Sequence, residues 1–141
     1  MASSILSPEN IRFNASVDSK EEAIRLTGQL LVERGYVKPA YVDTMLEREK
    51  LTSTYMGNYV AIPHGTEEGK ENVIESGIVI VQVPDGVDFG DGNIVKLLIG
   101  IAAKGDEHLD ILSKIALVVA EEENVHQIVQ AETAEEIMKF F

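Results

Sequence analysis

A chain of 141 residues, 45% hydrophobic and 26% charged, has the size and make-up of one globular domain able to bury its own core. It contains no cysteine, which excludes disulfides, thiolate zinc sites and cysteine nucleophiles, so any covalent chemistry must use another side chain. With 24 acidic against 12 basic side chains the net charge is −12, which repels phosphate backbones and anionic membrane surfaces; nucleic acid is not expected as a partner. That charge either serves solubility or attracts a basic protein. The opening "MASSILSPEN" has no basic region or apolar run, and "IVKLLIGIAAK" is too short to span a bilayer, so a cytoplasmic location is expected.

A first helix is expected in "VDSKEEAIRLTGQLLVERG", with Asp18 or Ser19 as its cap and Glu21 or Glu22 closing a capping box. Its apolar stripe is Ala23, Ile24, Leu26, Leu30 and Leu31, and Gly35 stops it. A second helix follows Pro39, with Tyr41, Val42, Met45 and Leu46 facing inward and Arg48 near its end. "LTSTYMGN" reads as a polar loop and "YVAIP" as a strand. Residues 77–83 ("GIVIVQV") and 94–103 ("IVKLLIGIAA") form stronger strands around a Gly- and Asp-rich loop, "PDGVDFGDGN". Their nearly continuous apolar content predicts central strands covered on both faces, an α/β layered fold. A helix over "DEHLDILSKIALVVAEEE" packs Leu109, Leu112, Ile115, Ala116 and Val119, with Asp106 as its N-cap and His108 in its first turn. A short helix in "NVHQIVQ" and a last one capped by Thr133 with Glu136 complete the chain. No repeat or linker divides residues 1–141, which are expected to form a single domain.

Two of the three histidines have settings that favour chemistry. In "YVAIPHGT", Pro63 fixes one dihedral and pushes Ile62 into extended geometry, while Gly65 adds no side chain and offers a backbone amide to an anion. His64 is thereby held at a strand end, where α/β folds place their sites. His108 lies where a helix N-terminus presents unpaired amides and a positive dipole end, which also favours an anion. His126 has no polar constellation around it and reads as a surface or boundary residue. A metal site from His64, His108 and Glu107 or Asp106 ranks low, because no HxH or HxxxH spacing exists. Ser53 and Thr54 are weak candidates for hydroxyl partners and "GTEEGK" for a phosphate loop, since GxSxG and GxxxxGK[ST] are both missing.

"MGNYVAIPHGT" together with "IGIAAKGDEHLDILSKIALVV" resembles the enzyme IIA domains of the bacterial phosphoenolpyruvate-dependent sugar phosphotransferase system, of the mannitol and fructose type and most like the mannitol branch. The likeness runs from "EEAI" to "TAEEIMKFF". It implies that His64 accepts a phosphoryl group from the phosphohistidine of the carrier protein HPr, by family analogy through Nε2, and passes it to a cysteine of enzyme IIB. His108 and Arg48 match the family's second histidine and arginine and would stabilise charge, with the amides near Gly65. Ser53 and Thr54 remain candidates for a polar wall or phosphate contact. The chain carries no membrane region and no cysteine-bearing IIB segment, so IIB is expected on a separate chain or domain, and contact with the membrane only through the IIC permease. The chemistry agrees with the residues: a neutral imidazole attacks phosphorus without a thiolate, and neither a cofactor nor Mg²⁺ is required when protein groups supply the positive charge. A mixed β-sheet flanked by helices on both faces is expected. Alternatives are a regulatory IIA homologue of the nitrogen-related type and, in another class, a non-catalytic metal-binding or interaction module.

Overall fold

The computed structural model describes residues 6–105 and 107–141. In chain order its regular elements are β1 (Ile11–Arg12), α1 (Lys20–Glu33), α2 (Tyr41–Leu51), β2 (Tyr55–Gly57), β3 (Val60–Ala61), β4 (Gly77–Asp88), β5 (Ile94–Ala102), α3 (Glu107–Val119), α4 (Glu122–Gln130) and α5 (Ala134–Met138). The strands make one sheet in the order β1-β4-β5-β3-β2. β4 and β5 pair antiparallel, as do β2 and β3, whereas β1 runs parallel to β4 and β3 parallel to β5. The sheet is therefore mixed, as expected.

Successive side chains on a strand point to opposite faces, and here both faces are covered. Val79, Val81, Val83, Leu98 and Ala102 join Ala23, Ile24 and Leu31 of α1 and Met45 of α2 in one core. Ile78, Ile80, Leu97, Ile99 and Ile101 join Ile111 and Ile115 of α3, Val125 and Ile128 of α4 and Ile137 of α5 in the other. This two-sided burial explains why β4 and β5 read as continuous apolar runs. Among the described residues no helix is long and apolar enough to cross a membrane.

The caps follow the sequence closely. Ser19 Oγ accepts from the Glu22 amide at the start of α1, and the Glu22 carboxylate accepts in turn from the Asp18 amide. Gly35, at φ +79°, supplies the left-handed residue just beyond that helix. Thr133 and Glu136 form a full capping box on α5. Asp106, expected as the cap of α3, lies outside the described residues.

Four local expectations need correction. "LTSTYMGN" is not all loop: Tyr55–Gly57 forms β2, folded onto β3 through Asn58 and Tyr59, whose φ values of +50° and +70° make the reversal. The reversal also limits the strand expected over "YVAIP" to Val60–Ala61. β4 continues past Val83 to Asp88, because an irregularity between Gln82 and Val87 absorbs Pro84 and Gly86 without ending the pairing. The edge strand β1 is too short to leave a periodic pattern. Finally, Leu109 is 73% exposed rather than packed; Ile111, Ile115 and Val119, spaced by four, carry the buried line of α3.

Because β3 and β5 are parallel neighbours, their C-terminal ends open on the same side of the sheet. The loop after β3 carries His64, and the loop after β5 leads into α3 and His108. The topology thus joins two segments far apart in sequence.

Candidate active site

His64 is held by its backbone surroundings. Its Nδ1–H donates to the Ile62 carbonyl at 2.8 Å; because a carbonyl only accepts, the neutral ring carries its lone pair on Nε2. The Pro63 carbonyl accepts from the Ile101 amide at 3.0 Å, which fastens the histidine loop to the end of β5. Burial pushes the His64 pKa below its ordinary value of 6.5, and the nearby charges of His108 and Arg48 act in the same direction; the Ile62 bond and the Glu49 carboxylate oppose them.

The two imidazole rings stand 5.2 Å apart, centroid to centroid, tilted by 55°. Both line a cleft of about 380 Å³ with Tyr41, Arg48, Leu51 and Lys70. Arg48, in the last turn of α2, donates through Nη1 to the Thr52 carbonyl at 2.7 Å, satisfying a carbonyl just beyond the helix end. Lys70 comes from a single 3-10 turn, Glu68–Asn72, and its ammonium lies 3.5 Å from Glu67. Burial, followed by the charge of Lys70, lowers the His108 pKa; Arg48 adds to this and Glu67 opposes it. On a chain of net charge −12, the cleft gathers Arg48 and Lys70 beside two imidazoles held toward neutrality, with Glu67, paired to Lys70, and Glu68 in its wall. Such a site suits a group that is anionic and reacts with a nitrogen lone pair.

The structure therefore brings together His64, His108 and Arg48, but it does not add Ser53 and Thr54 to them. Neither lines the cleft. Thr54 is buried, with its hydroxyl and amide both donated to Glu49, and exposed Ser53 accepts from the Tyr55 amide. The Gly65 amide is also not open to an anion as expected: it donates to the Tyr41 hydroxyl at 2.9 Å. Glycine is needed at 65 for a different reason. A Cβ there would lie 2.5 Å from Thr44 Oγ1 and 2.6 Å from Tyr41 Cε1. His126 is exposed on α4, away from the cleft. Among the described residues no group of three or more His, Cys, Asp and Glu side chains is placed to hold a metal ion.

Sequence reasoning missed two members of the site. Tyr41 looked like one more inward-facing apolar residue, because nothing in a helical stripe shows where a buried hydroxyl ends. Lys70 had a faint signal in "GTEEGK", six positions after His64, without the context of a phosphate loop.

Comparison with known proteins agrees with this geometry. A family model described as "Phosphoenolpyruvate-dependent sugar phosphotransferase system, EIIA 2" matches residues 4–141. The chain is 64% identical over 138 residues to the mannitol-specific phosphotransferase enzyme IIA component of Geobacillus stearothermophilus, covering 98% of this chain and 95% of that protein. Among solved structures, it matches IIA mannitol from Escherichia coli with a TM-score of 0.89 and 41% identity, covering 96% of this chain and 97% of the other. Enzyme IIA mannitol of Escherichia coli in complex with phosphorylated enzyme IIB mannitol matches with a TM-score of 0.90 and 40% identity, over 96% and 95% of the two chains. Likeness at this level, over nearly the full length of both partners, shows that the chain belongs to the EIIA 2 family of the phosphoenolpyruvate-dependent sugar phosphotransferase system.

Proposed function

We propose that residues 1–141 act as one cytoplasmic IIA domain of the mannitol type, a phosphocarrier that takes a phosphoryl group from phospho-HPr on His64 and hands it to a cysteine of enzyme IIB. The observation that carries this reading is the His64 Nδ1–H bond to the Ile62 carbonyl at 2.8 Å, which leaves Nε2 as the nucleophilic nitrogen of a cleft lined by Arg48, His108 and Lys70. In the first step the Nε2 lone pair forms a bond to phosphorus while the donor's P–N bond breaks, its electron pair returning to the donor ring. In the second, the IIB thiolate attacks the same phosphorus and Nε2 leaves. Neither step asks for a cofactor. Arg48 supplies positive charge, and Arg48 and His108 supply hydrogen-bond donors to the equatorial oxygens as charge redistributes.

The 64% identity to a mannitol-specific relative supports mannitol as the sugar served, and the solved complex of a related IIA with phosphorylated IIB supports IIB as acceptor. Contact with the membrane is indirect, through the IIC permease. The test is incubation with phosphoenolpyruvate, enzyme I and HPr, followed by intact mass and peptide mapping. One phosphoryl group should be found on His64, labile in acid and stable in base, and His64→Ala should carry none. Label retained in His64→Ala overturns the assignment.

A further inference from the structure

Glu49 is a carboxylate only 6% exposed, next in sequence to Arg48, and the phosphoryl relay described above gives it no part. Burying a charge is costly unless it is paired and hydrogen-bonded, and this one is both. Lys20 Nζ of α1 lies 3.1 Å from Oε2, the Thr54 amide reaches both oxygens at 3.1 Å, and the Thr54 hydroxyl donates to Oε1 at 2.6 Å. Burial is the largest single influence on this carboxyl and acts to raise its pKa; the bonds from Ser53, Thr54 and Lys20 together outweigh it and hold the group below the usual range, ionised.

The bonds continue toward the cleft. The Thr54 carbonyl accepts from the Ile62 amide at 3.1 Å, and the Ile62 carbonyl accepts from His64 Nδ1–H at 2.8 Å. Arg48 grips the same segment through the Thr52 carbonyl. Consecutive residues on a helix point about 100° apart, so α2 sends Arg48 to the cleft and Glu49 to the structure beneath it. The charged groups that act most on the His64 ring are His108 from α3 and Arg48 and Glu49 from α2; Lys70, Glu67 and Glu68 line the same cleft from the loop after β3, and Glu49 is the buried acid beneath the ring.

We infer that Glu49 is a positioning residue of the transfer: through the Thr54 and Ile62 peptides it holds His64 in the Nδ1–H tautomer, and its buried charge offsets the positive charge that the ring gains as Nε2 bonds to phosphorus. The inference rests on the reading of His64 as the phosphoryl acceptor. In the step itself the ring keeps its Nδ1 proton, the Nε2–P bond forms as the donor's P–N bond breaks, and no proton moves. The imidazolium-like ring then donates more strongly to an Ile62 carbonyl already fixed by the chain of bonds from Glu49.

The test reads the His64 ring directly in the full chain, by ¹⁵N NMR titration of the unphosphorylated protein, and the rate of phosphoryl acceptance from phospho-HPr in a single turnover. Glu49→Gln should lower the midpoint of the His64 titration and slow acceptance by on the order of 10- to 100-fold. Lys20→Met leaves the carboxylate without its counter-charge and should move the midpoint up. Opposite midpoint shifts show that the buried charge reaches the ring, and the ring tautomer together with the acceptance rate shows that it positions the ring for transfer. If Glu49→Gln does not fold, the upward shift in Lys20→Met still decides: no shift, or a downward one, overturns the inference, as does a folded Glu49→Gln with unchanged midpoint, tautomer and rate. Wild-type protein that takes no phosphoryl group on His64 overturns the functional reading instead, and the titration continues to judge Glu49 by itself.

Discussion

The Tyr41 hydroxyl accepts from the Gly65 amide at 2.9 Å and donates to the Ile101 carbonyl at 2.9 Å. One buried oxygen thus joins the first residue of α2 to the loop that leaves β3 and to the end of β5, the two strand ends that lead to the histidines. Burial raises the pKa of this phenol, with the Gly65 bond opposing, so it stays protonated and able to donate. Tyr41→Phe removes the oxygen and leaves two backbone groups without their partner, at a cost of about 1–3 kcal/mol. Urea denaturation should show this loss. Gly65→Ala should cost a similar ~1–3 kcal/mol by overpacking against the same ring, and an unchanged midpoint in both variants would remove Tyr41 as the link.

His108 and Arg48 are expected to act on charge rather than to accept phosphorus. Losing one donor to a developing oxyanion costs on the order of 10² to 10³ in rate. His108→Ala should therefore still gain a phosphoryl group at His64 but pass it on slowly, and Arg48→Ala should behave alike. Rapid-quench transfer to IIB measures both. Unaltered rates in the two variants would show that neither side chain contributes to the step.

The pH dependence follows from burial. Both His64 and His108 have pKa values lowered from 6.5, mainly because desolvation penalises the charged ring. The folded state therefore binds fewer protons than the unfolded chain below pH 6.5, and stability is lost as pH falls from there toward the folded values. Above that window the contribution is complete. Urea midpoints across the range should fall with acid, and the slope should shrink in a His64→Ala, His108→Ala double variant. The acceptance rate should stay level as pH drops to about 6.5, where an ordinary histidine is already half protonated, and decline only lower.

The parts of this molecule legible in the sequence are those set by periodicity and local chemistry. β4 and β5 announced themselves because both of their faces are buried, and Thr133 with Glu136 spelled out a cap. His64 stood out through Pro63 and Gly65, whose effects are local. What escaped depends on who meets whom in three dimensions. Thr54 reads as a free hydroxyl until Glu49 is found beneath it, and the Gly65 amide reads as open until Tyr41 arrives from 24 positions away. The pairing of His64 with His108 also required the parallel alignment of β3 with β5, which loop lengths alone do not specify.

Partner docking should use the exposed leucines beside the cleft. Leu51 is 74% exposed and lines it, and Leu109, 73% exposed, follows His108 directly on α3. Side chains this exposed contribute little to folding, so charged replacements there should leave stability within about 0.5 kcal/mol. Transient interfaces are small, with an apolar centre and a charged rim, and here Glu67 and Glu68 in the cleft wall and Glu107 and Asp110 in the first turn of α3 supply acidic neighbours. On the proposed relay two proteins reach His64 in turn, so their footprints are expected to overlap. Leu51→Glu and Leu109→Glu should each slow acceptance from phospho-HPr and delivery to IIB together, while the acidic groups speed encounter with a basic partner at low salt without tightening the complex. Stopped-flow acceptance across a salt series, with unphosphorylated IIB as competitor, checks both claims. An association rate indifferent to ionic strength would remove the steering, and IIB that fails to compete with HPr would separate the two footprints.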